Sequence, residues 1–356
     1  MMTQHLGLFP MTREQCAIAR YQFLLNGYNL SCIFVPKFWM LEGEDISCLD
    51  GGTFVGINTI HYDEKKLALC DVLYIDYDER LKNLQTYQDV ISDAEKNGVK
   101  IICSDRLAQV LAITKRAEKF SSNTTNIFSQ LYEIPIPIVT VLSQGIRTDQ
   151  FATELALRQH FVDAGVNVLQ LGSNDGSKFF GFTSIPQFVY EPMDYYTKIL
   201  HFNHYLRERV NDENPDLVII SISDAIMKYN DQILLGLGIV PSIICNAIKS
   251  DFSILCMYYS KYNREFLDGM SNYCNYRLGC PVGAFGIANT SVEPDQLTNM
   301  STLSYFDLNS NFVTNSIEQN IDACNHTLFN ILNSENVKKL CLHVEGALTS
   351  NPRNIK

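Results

Sequence analysis

No apolar run in this chain approaches the roughly 20 residues that a membrane-crossing helix requires. The N-terminal residues Met1 to Gln15 lack a basic stretch followed by an apolar one, so no secretory signal is expected and the cytoplasm is the expected location. Cations are in deficit: Lys and Arg number 28 against 39 Asp and Glu, a net charge of −11. That balance argues against non-specific nucleic-acid binding, which needs a basic surface. The eleven cysteines include no Cys-x-x-Cys pair, which argues against a zinc ribbon or a disulfide framework. Most sit in apolar runs (Cys32, Cys70, Cys103, Cys245, Cys256, Cys341) and read as buried, reduced thiols. Cys274 and Cys280 leave a redox or metal role open. No G-x-G-x-x-G follows the first strand, so a dinucleotide is not expected. No cofactor is assigned.

Hydrophobic residues make up 46% of the chain and charged residues 19%, the balance of a packed globular protein. Its 356 residues suffice for two α/β domains. Nearly continuous apolar runs alternate with helical stretches, the pattern of parallel strands covered on both faces. Strands are predicted at Leu6–Pro10, Leu30–Val35, Cys70–Asp76 and Val99–Cys103. Helices are predicted from Thr12 to about Asn26, from Arg80 to Lys96 and from Asp105 to Phe120. Residues 1–120 thus read as a Rossmann-like domain. Residues 121–134 read as a linker, with Ser121–Ser129 rich in Ser, Thr and Asn. Residues 135–356 read as a second, P-loop-like α/β domain with a C-terminal extension. There, strands are predicted at Ile136–Leu142, Val166–Leu171, Leu217–Ile222 and Ser242–Asn246. Helices are predicted at Asp149–Ala164 (capped by Thr148), Tyr195–Val210, Asp231–Leu237, Asp251–Met270 and Ser316–Leu332. Met300–Val313 is expected to be extended, and the residues after Val344 to fray. The fold class is α/β, two domains with mainly parallel sheets flanked by helices.

The strand–loop–helix–strand from Ile136 to Leu171 has the layout of a mononucleotide-binding unit. Such a unit enters its helix through Gly-Lys-Ser/Thr. Here Asp149-Gln150-Phe151 stands instead, so the lysine for a β/γ-phosphate and the hydroxyl for magnesium are both missing. Gly145 permits close backbone approach, and Arg147 can pair with an anion. Asp149 suits a helix dipole and repels a phosphate. Ser143 to Gln150, with Thr148, is therefore either a plain helix cap or a modified ligand seat. Ser173, Asn174, Asp175 and Lys178 follow the next strand and read as a turn or as a receptor for an anionic or peptide ligand. Asp224 stands where a P-loop protein keeps its magnesium aspartate, or it is a helix cap. His201 and His204 share a helix face without a third ligand, so no metal site is assigned. The loop around Phe38, Trp39 and Met40 reads as a docking surface or as cover for the sheet.

Several blocks together resemble a known family. They are Asp149-Gln150-Phe151 with Leu155-Ala156-Leu157-Arg158, then Gln170-Leu171-Gly172-Ser173 and Phe180-Gly181-Phe182. Val35-Pro36-Lys37, Asp50-Gly51-Gly52, Phe202-Asn203-His204 and Tyr276-Arg277-Leu278-Gly279 add to them. The chain is similar to the peptide maturation system proteins encoded beside radical SAM maturases of clostridial Cys-rich ribosomal peptides. The likeness runs from Leu6 to about Val313. The family pattern has a lysine where this chain has Gln150. The resemblance implies an accessory role in ribosomal peptide maturation. The implied partners are a precursor peptide, a radical SAM maturase or an acyl-carrier-related protein, and a homodimer is possible. More distantly, the block resembles P-loop proteins that pair a Rossmann-like N-domain with a nucleotide-binding C-domain. The alternative function is a nucleotide-dependent enzyme with an atypical loop.

Overall fold

A computed structural model describes residues 3–113, 130–295, 302–324 and 326–350. The chain divides into two compact units. The first holds residues up to Glu118 together with Asp175–Gly181, and the second holds Lys119–Asn174 and Phe182 onward. Of the expected linker at 121–134, residues 121–129 lie outside the described residues, and residues 130–134 belong to the second unit.

The first unit runs β1 (Gln4–Phe9), α1 (Arg13–Arg20), β2 (Tyr28–Val35), α2 (Ser47–Asp50), β3 (Ile60–His61), β4 (Val72–Ile75), α3 (Leu84–Lys96), β5 (Lys100–Cys103) and α4 (Asp105–Val110). Its strands lie in the order β3-β2-β1-β4-β5, all parallel. Thr12 caps α1 by accepting from the Gln15 backbone N–H. The helix stops at Arg20, short of the predicted Asn26, and a 3-10 turn over Gln22–Leu24 follows. Asn83 and Ser104 cap α3 and α4 in the same way. The segment Asp175–Phe180 contributes Phe179, whose ring meets those of Tyr28 and Tyr74 at 5.3 and 5.1 Å.

The second unit runs β6 (Ile138–Ser143), α5 (Gln150–Asp163), β7 (Val168–Gly172), β8 (Thr183–Ser184), α6 (Tyr195–Glu213), β9 (Leu217–Ala225), α7 (Ile239–Ala247), β10 (Phe252–Met257), α8 (Arg264–Tyr273), β11 (Val282–Ile287), β12 (Thr290–Pro294), β13 (Leu303–Asp307), α9 (Ser310–Cys324), β14 (Leu328–Phe329) and α10 (Ser334–Thr349). Seven strands form one sheet, β14-β11-β10-β6-β9-β7-β8. All of its pairings are parallel. β12 and β13 form a separate antiparallel ribbon. β6 is buried along its whole length at the centre of the sheet, as its unbroken apolar sequence demands. Strand order reverses at β6: β9, β7 and β8 lie to one side, and β10, β11 and β14 to the other. Among the described residues no helix is long and apolar enough to cross a membrane.

Two assignments in this unit exchange places. Ser242–Asn246, predicted as a strand, lies within helix α7. Asp251–Met270, predicted as one helix, contains the buried strand β10 and then α8. Short apolar β-branched runs fit either form, and β10, which joins the same sheet parallel to β9 on the far side of β6, must be reached through a crossover helix. Asp231–Leu237 is not an α-helix: Leu235, Gly236 and Leu237 all take positive φ. Among the described residues of Met300–Val313 only β13 is a strand, because Ser310 already begins α9. The Ser316–Leu332 prediction overlaps α9 but also covers β14. The stretch after Val344, expected to fray, continues α10 to Thr349; residues 351–356 lie outside the described ones.

Candidate functional site

β6 delivers its last residue, Ser143, to the point where strand order reverses. In open parallel sheets ligands settle beyond the carboxyl ends of the strands at such a point. The turn that follows is tightly made. The Ser143 hydroxyl accepts from the Gly145 N–H at 2.9 Å and donates to the Gly145 carbonyl. Thr148 Oγ1 lies 2.9 Å from Ser143 Oγ and donates to the Gly145 carbonyl at 3.0 Å. Thr148 is therefore a brace inside the turn and does not cap α5. Gly145 has a spatial reason as well, since a Cβ there would meet the hydroxyl of buried Tyr258. Gln144 links the turn to β10, its N–H donating to the Cys256 carbonyl and its Oε1 accepting from the Tyr258 N–H.

Asp149 immediately precedes α5 in the left-handed region (φ 57°, ψ 20°), with no side-chain cap to the helix. A phosphate loop reserves this place for glycine, which takes positive φ without strain. The Asp149 carboxylate instead accepts from the Asn289 N–H at 3.0 Å. Gln150 is buried, and its amide donates to Ser221 Oγ on β9. The position of the absent lysine is thus filled by a neutral group turned into the sheet. Arg147, also left-handed at φ 63°, donates from Nη2 to both Asp307 oxygens at 2.8 and 2.9 Å. Its guanidinium lies 5.2 Å from the Tyr305 ring centroid.

Ser173, at the end of β7, faces β9. Its hydroxyl is 2.6 Å from Ser223 Oγ and accepts from the Ser223 N–H at 2.7 Å. Asp224 neighbours Ala225, the register partner of Ser143. Burial raises its carboxyl above the usual range, against a hydrogen bond from Tyr190. Gly145, Arg147, Thr148, Asp149, Gln150, Ser173 and Asp224 are thus collected at one edge of the second unit, which Asn174 also joins. Asp175 and Lys178 are not part of that group. They belong to the first unit, where Asp175 accepts from the Asp105 N–H and Lys178 Nζ stands 5.3 Å from the Tyr74 ring.

Beneath the turn lies a polar network that sequence reasoning missed. Glu154, on α5, is 0% exposed. Its Oε2 accepts from the Gln170 amide on β7 at 3.0 Å. Glu154 Oε1 and Gln170 Oε1 are both buried without a partner. Burial pushes the Glu154 carboxyl up to about 8, outweighing hydrogen bonds from Gln170 and Ser221 and the charge of Arg158. At neutral pH the group is mostly an acid, with an O–H to donate. One signal was available: Glu154 is the only charge from Gln150 to Leu157, a stretch buried all round. Tyr305, Asp307 and Asn289 carried no local signal, because they reach the turn from the β12–β13 ribbon and the residue before it, far along the chain.

Elsewhere, His204 Nε2 contacts the Gln130 carbonyl at 3.2 Å, and His201 meets the edge of Phe188. Among the described residues no three metal-ligating side chains converge. In the first unit, Phe38, Met40 and Phe54 are strongly exposed, while Arg80 lies 4.4 Å from the half-buried Trp39 ring.

Fold and site together define a class: a two-unit α/β protein with mostly parallel sheets, whose second unit carries a tight strand-to-helix turn at the point where its strand order reverses. Among solved structures the chain is similar to a DUF1611 family protein from Anabaena variabilis. The TM-score is 0.58 at 10% identity, covering 96% of this chain and 99% of that one. The likeness shows the fold. A pseudomurein peptide ligase type C from Methanothermus fervidus aligns with TM-score 0.27 at 10% identity, over 71% of this chain and 37% of that one, too weakly to bear on the fold. No protein-family model matches the chain, and no curated protein matches it.

Proposed function

We propose that this chain is an accessory protein of ribosomal peptide natural-product maturation that binds a precursor peptide or a partner enzyme and does not hydrolyse nucleotide. The carrying observation is the pairing of Gln150 with Ser221 beside a left-handed Asp149. Phosphoryl transfer depends on positioned cations around the migrating group. Here the lysine position is neutral, and the loop's one arginine already holds a carboxylate. What remains is an edge braced by hydrogen bonds within the turn, suited to holding a macromolecule. The family resemblance supplies the partner class: a precursor peptide, a radical SAM maturase or an acyl-carrier-related protein. The setting is cytoplasmic, and a homodimer is compatible with the reading.

The test has two arms. Affinity capture with the tagged full chain is expected to recover the precursor peptide or the maturase encoded beside it; recovery of neither refutes the partner reading. Thermal shift with ATP or GTP and magnesium is expected to show no stabilisation. A ligand at 100 times its Kd would add about 2.7 kcal/mol. A shift of that order, lost in Arg147→Ala, would favour a second reading, a nucleotide-dependent enzyme, which the cation in the turn supports.

A further inference from the structure

We infer that Arg147 and Thr290 form a carboxylate-binding subsite at the switch-point edge of the second unit, with Asp307 as its built-in occupant. The inference rests on the partner-binding reading and names the chemistry that the partner presents.

A guanidinium meets a carboxylate best through two N–H groups on separate nitrogens. Asp307 uses only one, since Nη2 serves both of its oxygens. Arg147 Nε is left buried without a partner, a standing cost for a charged donor. Thr290 faces Asp307 directly across the β12–β13 ladder, so their side chains share one face of the ribbon. Thr290 is 0% exposed, yet its hydroxyl also has no partner. Two unspent donors therefore sit on the two residues paired with Asp307, one through its ion pair and one across the ladder. Asp307 itself is about one-third exposed, against 18% for Arg147, so its carboxylate is the solvent-facing member of the pair. An incoming carboxylate would bridge Nε and Nη2 and accept from the Thr290 hydroxyl.

Charge selects the ligand. Asp149 lies in the same turn, its carboxylate held 3.0 Å from the Asn289 N–H. A dianionic phosphate would add repulsion there, whereas exchanging one carboxylate for another leaves the charge unchanged. The carboxylate could come from an acidic side chain or from the C-terminus of a bound peptide.

The experiment titrates the full chain with three probes: acetylated triglutamate amide, trialanine with a free C-terminus, and inorganic phosphate. The Arg147 Nε–H resonance in 15N NMR is the readout. Asp307→Ala is expected to bind one peptide probe at least tenfold tighter than the native chain, with the Nε–H signal moving. The winning probe identifies the source. Arg147→Lys or Thr290→Val, added to that background, should each remove about tenfold, and Thr290→Ser should restore it. Asp307→Asn serves if Asp307→Ala does not fold. Three results overturn the inference: neither peptide binds the Asp307 variant more tightly, Arg147→Lys in that background costs nothing, or phosphate binds more tightly than both peptides. Failed capture of the precursor with intact triglutamate binding would refute the partner reading and leave the subsite standing; the reverse pattern would do the opposite.

Discussion

Replacing Glu154 by Gln should make the protein more stable at neutral and alkaline pH, by an amount that grows with pH. In the folded chain burial holds this carboxyl up to about 8, from an ordinary 4.5. A raised folded value means that the native state keeps a proton the unfolded chain releases. The stabilisation is complete below pH 4.5 and is lost progressively as pH rises through about 8. The slope is about 1.4 kcal/mol per pH unit, and the full loss is on the order of 5 kcal/mol. Glutamine carries no proton to lose, and its amide can donate to Gln170 Oε1 while its oxygen accepts from Gln170 Nε2. Asp76, which burial also raises, to about 6, titrates in both proteins and cancels. Urea denaturation of both proteins at half-unit steps from pH 5 to 9 gives the difference directly. It should climb through pH 8 and then level. A difference that stays flat, or a variant less stable than the native chain at pH 8, would refute the assignment of a neutral acid at this position.

Gln150→Lys restores the missing lysine but leaves Asp149 and Phe151 in place. It should cost roughly 3 kcal/mol for burying a charge and give no magnesium–ATP stabilisation in thermal shift; a gain of ATP binding would revive the nucleotide reading. Gly238→Ala should destabilise by more than about 2 kcal/mol. The position has φ 70°, and a Cβ would fall on the Ile226 carbonyl; a urea midpoint unchanged within error would contradict this. Asn203→Ala removes bonds to the Tyr132 N–H and to the Tyr132 and Ala247 carbonyls, 2.8 to 3.0 Å long. It should cost about 3 kcal/mol, read from the same titration.

What could be read from the sequence follows the reach of each signal. β6 and β9 were legible because a fully buried parallel strand writes an unbroken apolar run. α3 and α5 were legible because Asn97-Gly98 and Ala164-Gly165 mark their ends. The run Ser242–Asn246 is as apolar as a strand, and only the place of β10 beside β6 decides that it is a helix. Within the site, Gly145, Arg147, Asp149 and Gln150 could be chosen because one local turn holds them together. Lys178 could not be separated from Ser173, although the chain changes units between them. Asp307 and Asn289 are 160 and 140 residues from the turn residues they hold, beyond the span of any local pattern.

The membership of Asp175–Gly181 in the first unit has a consequence for synthesis and for dissection. All five strands of that unit have left the ribosome by Cys103, yet Phe179, which covers Tyr28 and Tyr74, is made only after β6, α5 and β7. The nascent N-terminal half must therefore wait, with those two rings unroofed, for a piece delivered some seventy residues later. A fragment cut at Glu118 would keep every strand of its sheet and still lack its lid of aromatic cover, and it should bind more hydrophobic dye than the same unit does in the intact chain.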